Sequence, residues 1–153
     1  MQGLKTLGVR LERQCGSARQ IAEWLEEHPE TKKVHYPSLA SSPQAALAQR
    51  QHLGADGAVL SFELWSGAAG AKRLLENVEV CRLVEHVGGV ETLLTHSATM
   101  THGGVPRGER ERVGVTEGLL RSSVGLEPTS TIVDDLEKAL EVSRESTEAG
   151  IPV

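Results

Sequence analysis

The sequence has 153 residues, which is enough to bury a single hydrophobic core but too short for two full ones. Hydrophobic residues make up 39% of the chain and charged residues 24%, values that are typical of a folded globular protein and exclude a disordered one. The net charge is -5 and lysine and arginine are scattered among acidic residues, so neither nucleic acid nor a membrane surface is predicted as a partner.

The sequence also gives an expectation for the compartment. No apolar run approaches the length of a membrane span, and the first residues, Met1 to Arg10, lack the apolar centre of a signal peptide. We therefore expect a cytoplasmic protein. In a reducing compartment Cys15 and Cys81 are predicted to remain thiols that pack as small hydrophobic side chains.

The N-terminal part of the chain is predicted to hold two helices and a strand. Apolar residues at helical spacing predict an amphipathic helix over residues 9–25, and a short strand is predicted at 33–36. Ser42 then predicts an N-cap and Pro43 the first position of a second helix, which ends at Gly54.

The middle of the chain contains the clearest strand pattern. Between residues 57 and 65 apolar and other side chains alternate, which predicts a strand with one buried face. A third helix is predicted at 71–78, and a further strand at 81–85 is followed by a turn at Gly88 and Gly89.

The C-terminal part begins with the least regular stretch of the sequence. Residues 95–104 contain threonine, histidine, serine and glycine without a sustained period, which predicts a long loop of the kind that carries function. A short polar helix at 107–112, a strand at 119–126 and a last helix at 129–143 are predicted to follow.

These elements together predict a fold class. Helices that alternate with short strands indicate an α/β fold, here an α+β sandwich in which helices cover one side of a small sheet, with strand order left open. In the last strand Leu120 faces the core and Arg121 faces the other way. We predict one domain over residues 1–145 and a frayed tail at 146–153.

Generic site patterns are weak in this sequence. The six histidines stand singly near the ends of elements or apart within the loop, so they are interpreted as surface or hydrogen-bonding residues, and no metal site is predicted. The glycine pairs lack the lysine and the spacing of a phosphate-binding loop and are interpreted as turns. Cys15 lies on an apolar helix face without a base partner, which disfavours a nucleophile.

A more specific indication comes from sequence blocks that occur in a fixed order. The chain opens with GLKTL and Arg10, and continues with blocks such as VHYP, SPQ and LVE. The longest blocks are GGVE from Gly88, MTH from Met100 and LRSSVGLE from Leu120. Together these blocks resemble, from Gly3 to about Leu140, the C-terminal domain of the cystathionine gamma-lyase and gamma-synthase family of pyridoxal-phosphate (PLP) enzymes, which have fold type I.

This resemblance implies a substrate site. Arg121 matches the family arginine that binds the α-carboxylate of the substrate, a role that suits a planar, permanently charged guanidinium. Glu85 matches a position that helps to set substrate specificity. His86 stands where the family usually has serine, in a region that lines the substrate, so we include His86 among the substrate-binding candidates and expect substrate handling to differ.

The resemblance also implies a cofactor that this chain does not bind covalently. Family members carry PLP as a Schiff base on a lysine in an upstream domain, within a Ser-x-Thr-Lys type motif, and no lysine here has that context. We therefore expect the PLP-lysine domain to be absent from this chain, no catalytic residue within it, and a requirement for PLP only in the complete enzyme. The implied partners are a lysine-bearing PLP domain or further copies of this chain, with a small amino acid as substrate.

Three hypotheses of function remain open. The first is a fragment or natural half of a transsulfuration enzyme that eliminates or replaces groups on sulfur amino acids, as a lyase or a synthase, and that needs a lysine-bearing domain for catalysis. The second is a non-catalytic binding or protein-interaction module descended from that enzyme. The third is an incomplete gene product without a role of its own.

Overall fold

The computed structural model describes residues 2–144, and the tail predicted to fray at 146–153 lies outside the described residues. Helices and strands alternate along this part of the chain. The helices are α1 (Gln2–Lys5), α2 (Leu7–Glu27), α3 (Ala45–Gln51), α4 (Gly67–Asn77), α5 (Arg107–Arg112) and α6 (Thr129–Arg144). The strands are β1 (Thr31–His35), β2 (Val59–Leu64), β3 (Arg82–Leu83), β4 (Leu93–His96) and β5 (Leu119–Ser123).

The strands form one mixed sheet in the order β1-β2-β5-β4-β3. Four neighbouring strands are antiparallel to one another, while β3 runs parallel to β4 at the edge. The last strand in the sequence, β5, therefore lies in the centre of the sheet with β2 on one side and β4 on the other. Its backbone is held on both edges, which makes β5 a rigid platform for the side chains that it carries.

One face of the sheet is covered by α2, α4 and α6. Leu60, Phe62, Leu94 and Leu120 share this face and are at most 1% exposed. The side chains that the helices contribute to the same core are Ala18, Ile21, Ala22 and Leu25 from α2, Ala71 and Leu74 from α4, and Ile132, Leu136, Ala139 and Leu140 from α6. The predicted α/β fold, with helices packed on one side of a small sheet, is confirmed.

The opposite face of the sheet carries polar side chains. Ser61, Arg121 and Thr95 lie side by side across β2, β5 and β4, because the strand register pairs them directly. The connection between β4 and β5 contacts this face at one end, where Thr116 Oγ1 donates a hydrogen bond of 2.8 Å to Glu63 Oε1. Arg121 thus points away from the helices, as the alternation along its strand predicts.

The prediction of one long loop over residues 95–104 is wrong at its start, because Thr95 and His96 belong to β4. All four residues of β4 are buried, so the alternation that marks a half-buried strand is missing from its sequence. Irregular backbone begins only at Ser97.

The two strands that flank this region are shorter than predicted. Of residues 81–85 only Arg82–Leu83 pairs with a neighbouring strand, because this segment meets the sheet at its outer edge. The strand predicted at 119–126 ends at Ser123, where its pairing with β2 and β4 also ends.

Two helix starts also differ from prediction. The second helix begins at Ala45 with Gln44 as its N-cap, so Pro43 precedes the helix instead of opening it. The third helix begins at Gly67 rather than at residue 71. Glycine is a poor helix former, and the two glycines in this first turn hide it from a periodicity argument.

Asp135 of α6 ties that helix to the chain that leads into β3. Its carboxylate accepts backbone hydrogen bonds from Glu79 N at 2.8 Å, Val80 N at 3.1 Å and Cys81 N at 2.8 Å. Burial raises the pKa of Asp135, but the three N–H donors outweigh it and hold the pKa below its usual range. Cys15 and Cys81 are buried, as predicted, and burial together with the Asp135 carboxylate raises the pKa of the Cys81 thiol.

Replacing Asp135 with asparagine tests this contact. We expect Asp135→Asn to lower the free energy of unfolding by about 2 kcal/mol at neutral pH, because an amide group is a weaker acceptor and offers N–H groups to backbone donors. The lowered pKa means that the carboxylate stabilises the fold above the unfolded-state pKa, and that this contribution is lost as pH falls through the folded-state pKa. Denaturant unfolding at several pH values measures both effects.

The neighbouring carboxylate provides the control. Asp134 is exposed on the same helix, so Asp134→Asn should change the free energy of unfolding by less than about 0.5 kcal/mol. Equal effects of the two substitutions, or a deficit for Asp135→Asn that does not shrink in acid, would contradict the assignment.

Candidate functional site

The candidate site is centred on Arg121, in the middle of the open face of the sheet. Its guanidinium Nη2 donates to Thr95 Oγ1 at 3.1 Å and to the carbonyl oxygen of His86 at 3.3 Å. Its Nε is buried and has no hydrogen-bond partner among the described residues. An unmet buried donor costs about 1–3 kcal/mol, and the buried Nε of Arg73 and of Arg110 is likewise without a partner among the described residues.

The charge of Arg121 is not neutralised by a carboxylate. None of the ion pairs within the described residues includes Arg121. The acid on the same sheet face, Glu63, is paired with Lys32 at 3.0 Å and with the hydroxyl of Thr116. Burial raises the pKa of Glu63, but these two donors lower it below its usual range. Arg121 therefore has no carboxylate partner among the described residues, and the carboxylate of Glu63 on the same sheet face is already paired.

Residues 84–89, called here the rim segment, run beside Arg121 and are fastened to the sheet. Thr95 Oγ1 donates to the carbonyl of Val84 at 2.8 Å. Further along, the N–H of Gly88 donates to Ser123 Oγ at 3.1 Å. The hydroxyl of Thr95 belongs to β4 and that of Ser123 to β5. The sheet itself therefore fixes the course of the rim segment.

A helix holds the far end of the same segment. Gln14 is 3% exposed on α2, and its Nε2 donates to the carbonyl of Gly89 at 2.8 Å. Gly88 has a φ of 81°, a left-handed conformation that glycine adopts without strain, and the chain bends there without forming the predicted hydrogen-bonded turn.

The structure brings Arg121 together with the stretch that carries Glu85 and His86, but through the backbone. It is the carbonyl of His86, not its imidazole, that accepts from Arg121. The side chains of Glu85 and His86 are both exposed, and neither makes a hydrogen bond to another described residue. The structure therefore brings the backbone at His86 to Arg121, while the side chains of Glu85 and His86 stay exposed to solvent.

Thr95 and Ser123 are site residues that the sequence patterns did not assign. The alternation in β5 places Ser123 on the same face as Arg121, which was a usable indication. Thr95 had none, because the strand that carries it is buried on both faces and its sequence shows no alternation.

A second set of contacts joins the segments that flank β4 and β5. The carboxylate of Glu127 accepts from Thr92 N at 2.7 Å and from Thr92 Oγ1 at 2.8 Å. The same hydroxyl accepts from the N–H of Gly125 at 2.9 Å. We call these three residues the Thr92–Glu127 clasp, which joins the chain that leaves β5 to the chain that enters β4.

The histidines match the interpretation as hydrogen-bonding residues where they are buried. His96 is 8% exposed, and its two ring nitrogens lie 2.7 Å from Thr99 Oγ1 and 2.9 Å from the carbonyl of Glu117. Within residues 2–144 no group of three or more histidine, cysteine, aspartate or glutamate side chains is arranged to hold a metal ion. Over the same residues no helix has both the length and the apolar character needed to cross a membrane.

Known proteins share this sequence and geometry over part of their length. A family model described as Cys/Met metabolism PLP-dependent enzyme matches residues 1–141. Cystathionine beta-lyase of Coxiella burnetii is 44% identical over 140 residues, which are 92% of this chain and 36% of that enzyme. L-methionine gamma-lyase of Fusobacterium nucleatum subsp. nucleatum is 45% identical over 141 residues, which are 92% of this chain and 35% of that enzyme.

Solved structures agree with the sequence matches. Cystathionine gamma synthase from Xanthomonas oryzae pv. oryzae in complex with cystathionine superposes with a TM-score of 0.89 at 37% identity, over 95% of this chain and 37% of that chain. The present chain therefore spans little more than a third of the length of each of these proteins.

Gly125 provides a test of the clasp. A Cβ added at Gly125 would lie 2.5 Å from both Glu91 C and Thr92 N, which are backbone atoms that cannot move independently. We expect Gly125→Ala to lower the free energy of unfolding by about 1–3 kcal/mol through overpacking. Denaturant unfolding monitored by circular dichroism measures it.

The matched control is a glycine with open space around it. Gly16 is exposed within α2, and an added Cβ there meets nothing within 4 Å. Gly16→Ala should therefore stabilise the chain by about 0.5–1 kcal/mol, because alanine loses less backbone entropy in a helix. A Gly125→Ala chain as stable as wild type would show that the clasp is not tightly packed.

Proposed function

We propose that this chain, which belongs to the Cys/Met metabolism PLP-dependent enzyme family, binds the α-carboxylate of a sulfur amino acid through Arg121. In this proposal residues 1–145 form the C-terminal, substrate-carboxylate-binding domain of a transsulfuration enzyme that performs elimination or replacement. The observation that carries the proposal is the unpaired guanidinium of Arg121, with an unmet Nε donor, on the open face of the sheet.

The chemistry of the site favours a carboxylate. A guanidinium offers planar pairs of N–H donors that match the two oxygens of a carboxylate, and its charge persists at every working pH. The neighbouring groups that contact Arg121 are a hydroxyl and a peptide carbonyl, which orient the guanidinium without cancelling its charge. Glu85 and His86 then stand where the rest of the bound amino acid would extend, and we assign them to substrate selection.

The residues of this chain fit the substrate side of a PLP site and not the covalent attachment of the cofactor. The family is PLP-dependent, and PLP supplies the electron sink that makes the α-proton of an amino acid removable. In this sequence the lysines are Lys5, Lys32, Lys33, Lys72 and Lys138. All are exposed, and none contacts the Arg121 site. We therefore propose that a lysine-bearing domain supplies the catalytic lysine.

The surface around the site supports a partner. Leu83, Val84, Val87 and Val90 lie on or next to the rim segment and are between 40% and 54% exposed. Apolar side chains grouped around a polar site are typical of a surface that another protein covers. We propose that a lysine-bearing PLP domain or a second copy of the chain covers it. We place the complete enzyme in the cytoplasm, where Cys15 and Cys81 remain thiols.

A non-catalytic binding module is the second candidate. It is favoured by His86, which differs from the serine usual in the family. Such a module keeps the carboxylate site of Arg121 but turns nothing over. The two candidates differ in whether a lysine-bearing domain restores catalysis.

Mixing the purified chain with PLP gives the first test. We expect no lysine to be labelled at unit stoichiometry after borohydride reduction and peptide mapping, because all five lysines are exposed and none contacts the Arg121 site. We also expect no keto acid from cystathionine, cysteine or an O-acylhomoserine. One stoichiometrically labelled lysine together with turnover would contradict the proposal.

The role of Arg121 is tested in a complete enzyme. A chimera in which residues 1–141 replace the matching segment of the Coxiella burnetii cystathionine beta-lyase supplies the lysine-bearing part. We expect Arg121→Ala to raise the activation free energy measured by kcat/KM by about 2–4 kcal/mol, because a charge-assisted paired contact is lost.

Two further variants serve as controls. Arg121→Lys keeps the charge but loses the paired donors and should fall between wild type and Arg121→Ala. Arg19→Ala removes an arginine of α2 whose partner is Glu23, and should leave kcat/KM unchanged. A loss below about threefold for Arg121→Ala would remove Arg121 from the carboxylate site.

A further inference from the structure

We propose that Thr95 is a positioning residue that holds Arg121 and the rim segment in one fixed arrangement. The inference rests on the proposed function of Arg121 and extends it to a buried residue that acts through Arg121. Thr95 is 1% exposed, and its hydroxyl accepts from Arg121 Nη2 at 3.1 Å while donating to Val84 O at 2.8 Å. One oxygen atom thus joins the cation to the segment that carries Glu85 and His86.

The sheet places this oxygen. Thr95 and Arg121 are direct partners in the antiparallel pairing of β4 with β5, so their side chains leave the sheet on the same face next to each other. A β-branched side chain has restricted rotamers, which helps to keep the hydroxyl between its two partners. Without Thr95, Nη2 would keep only the longer contact of 3.3 Å to the carbonyl of His86.

A hydroxyl is suited to this position for an electrostatic reason. It can accept from a guanidinium and donate to a carbonyl at the same time. A carboxylate at residue 95 would only accept, and it would also neutralise the charge that Arg121 needs for its ligand. A lysine there would only donate, and it would repel Arg121. Thr95 therefore fixes the guanidinium while leaving its charge unpaired.

This geometry predicts how the loss of the hydroxyl would appear in kinetics. A guanidinium that is free to rotate must be ordered each time a carboxylate binds, so substrate binding is weakened more than the chemical step. We expect Thr95→Val to raise KM about tenfold, the size of a lost hydrogen bond to a charged group, and to leave kcat within about twofold of wild type.

The first experiment uses the 153-residue chain itself and needs no cofactor. In a ¹H–¹⁵N NMR spectrum the buried Nε–H of Arg121 should give a resonance that exchanges slowly with water. In Thr95→Val that resonance should shift and its exchange should accelerate by more than about tenfold, because the guanidinium is no longer held. Thr95→Ser, which keeps the hydroxyl, should restore the wild-type signal.

Thr31→Val is the matched control. Thr31 is 9% exposed and lies on β1, an edge strand that β2 separates from β5. Its hydroxyl has no partner among the described residues. The same chemical change there should leave both the Arg121 resonance and KM unaltered. If Thr95 had only a structural role, Thr95→Val would lower thermal stability while the Arg121 signal stayed in place.

The second experiment measures KM and kcat for Thr95→Val and Arg121→Ala in the chimera with the Coxiella burnetii enzyme. A rise in KM for both variants, with kcat nearly constant for Thr95→Val, supports the inference. A large effect of Arg121→Ala with neither a KM change nor an NMR change for Thr95→Val overturns the role of Thr95 and leaves the proposed function intact. No effect of Arg121→Ala overturns the proposed function and the inference with it.

Discussion

The pairing of β4 with β5 is the constraint on which the site depends. It sets Thr95 opposite Arg121, and it does so in the centre of the sheet, where both edges of β5 are held by other strands. A shift of one residue in this register would turn Arg121 into the helix-covered core, where an unpaired charge is very costly. The hydrophobic face that buries Leu120 therefore also guarantees that the guanidinium emerges on the open face.

Two carboxylates fix the chain on either side of the rim segment. Asp135 holds residues 79–81 before it by accepting three backbone hydrogen bonds. Glu127 holds Thr92 after it, at the entry to β4. Because both ends are anchored to the rigid core, the carbonyls of Val84 and His86 stay within reach of the Thr95–Arg121 pair. Asp135 and Glu127 thus serve the architecture of the chain, while Arg121 has no carboxylate partner among the described residues.

Much of this arrangement follows from the sequence, and the exceptions have physical reasons. The periodicity of α2 and α6 and the alternation in β2 and β5 come from elements with one buried face, so their pattern is visible. The same alternation predicts that Arg121 and Leu120 lie on opposite faces of the sheet. The strand β4 is buried on both faces and shows no alternation, so its pattern does not distinguish Thr95 from a loop residue and does not indicate its contact with Arg121. The hydrogen bond to the carbonyl of His86 depends on a backbone path that side-chain patterns do not encode.

The central proposal is that Arg121 recognises an α-carboxylate. The most direct test is a thermodynamic cycle on the complete chimeric enzyme that combines one substitution, Arg121→Ala, with one change in the substrate. The two substrates are an S-substituted L-cysteine and its α-carboxamide. Wild type should prefer the carboxylate, and Arg121→Ala should reduce that preference by more than about tenfold, because the group that distinguishes the two substrates is gone. An unchanged preference in Arg121→Ala would contradict the claim and assign carboxylate recognition to another residue.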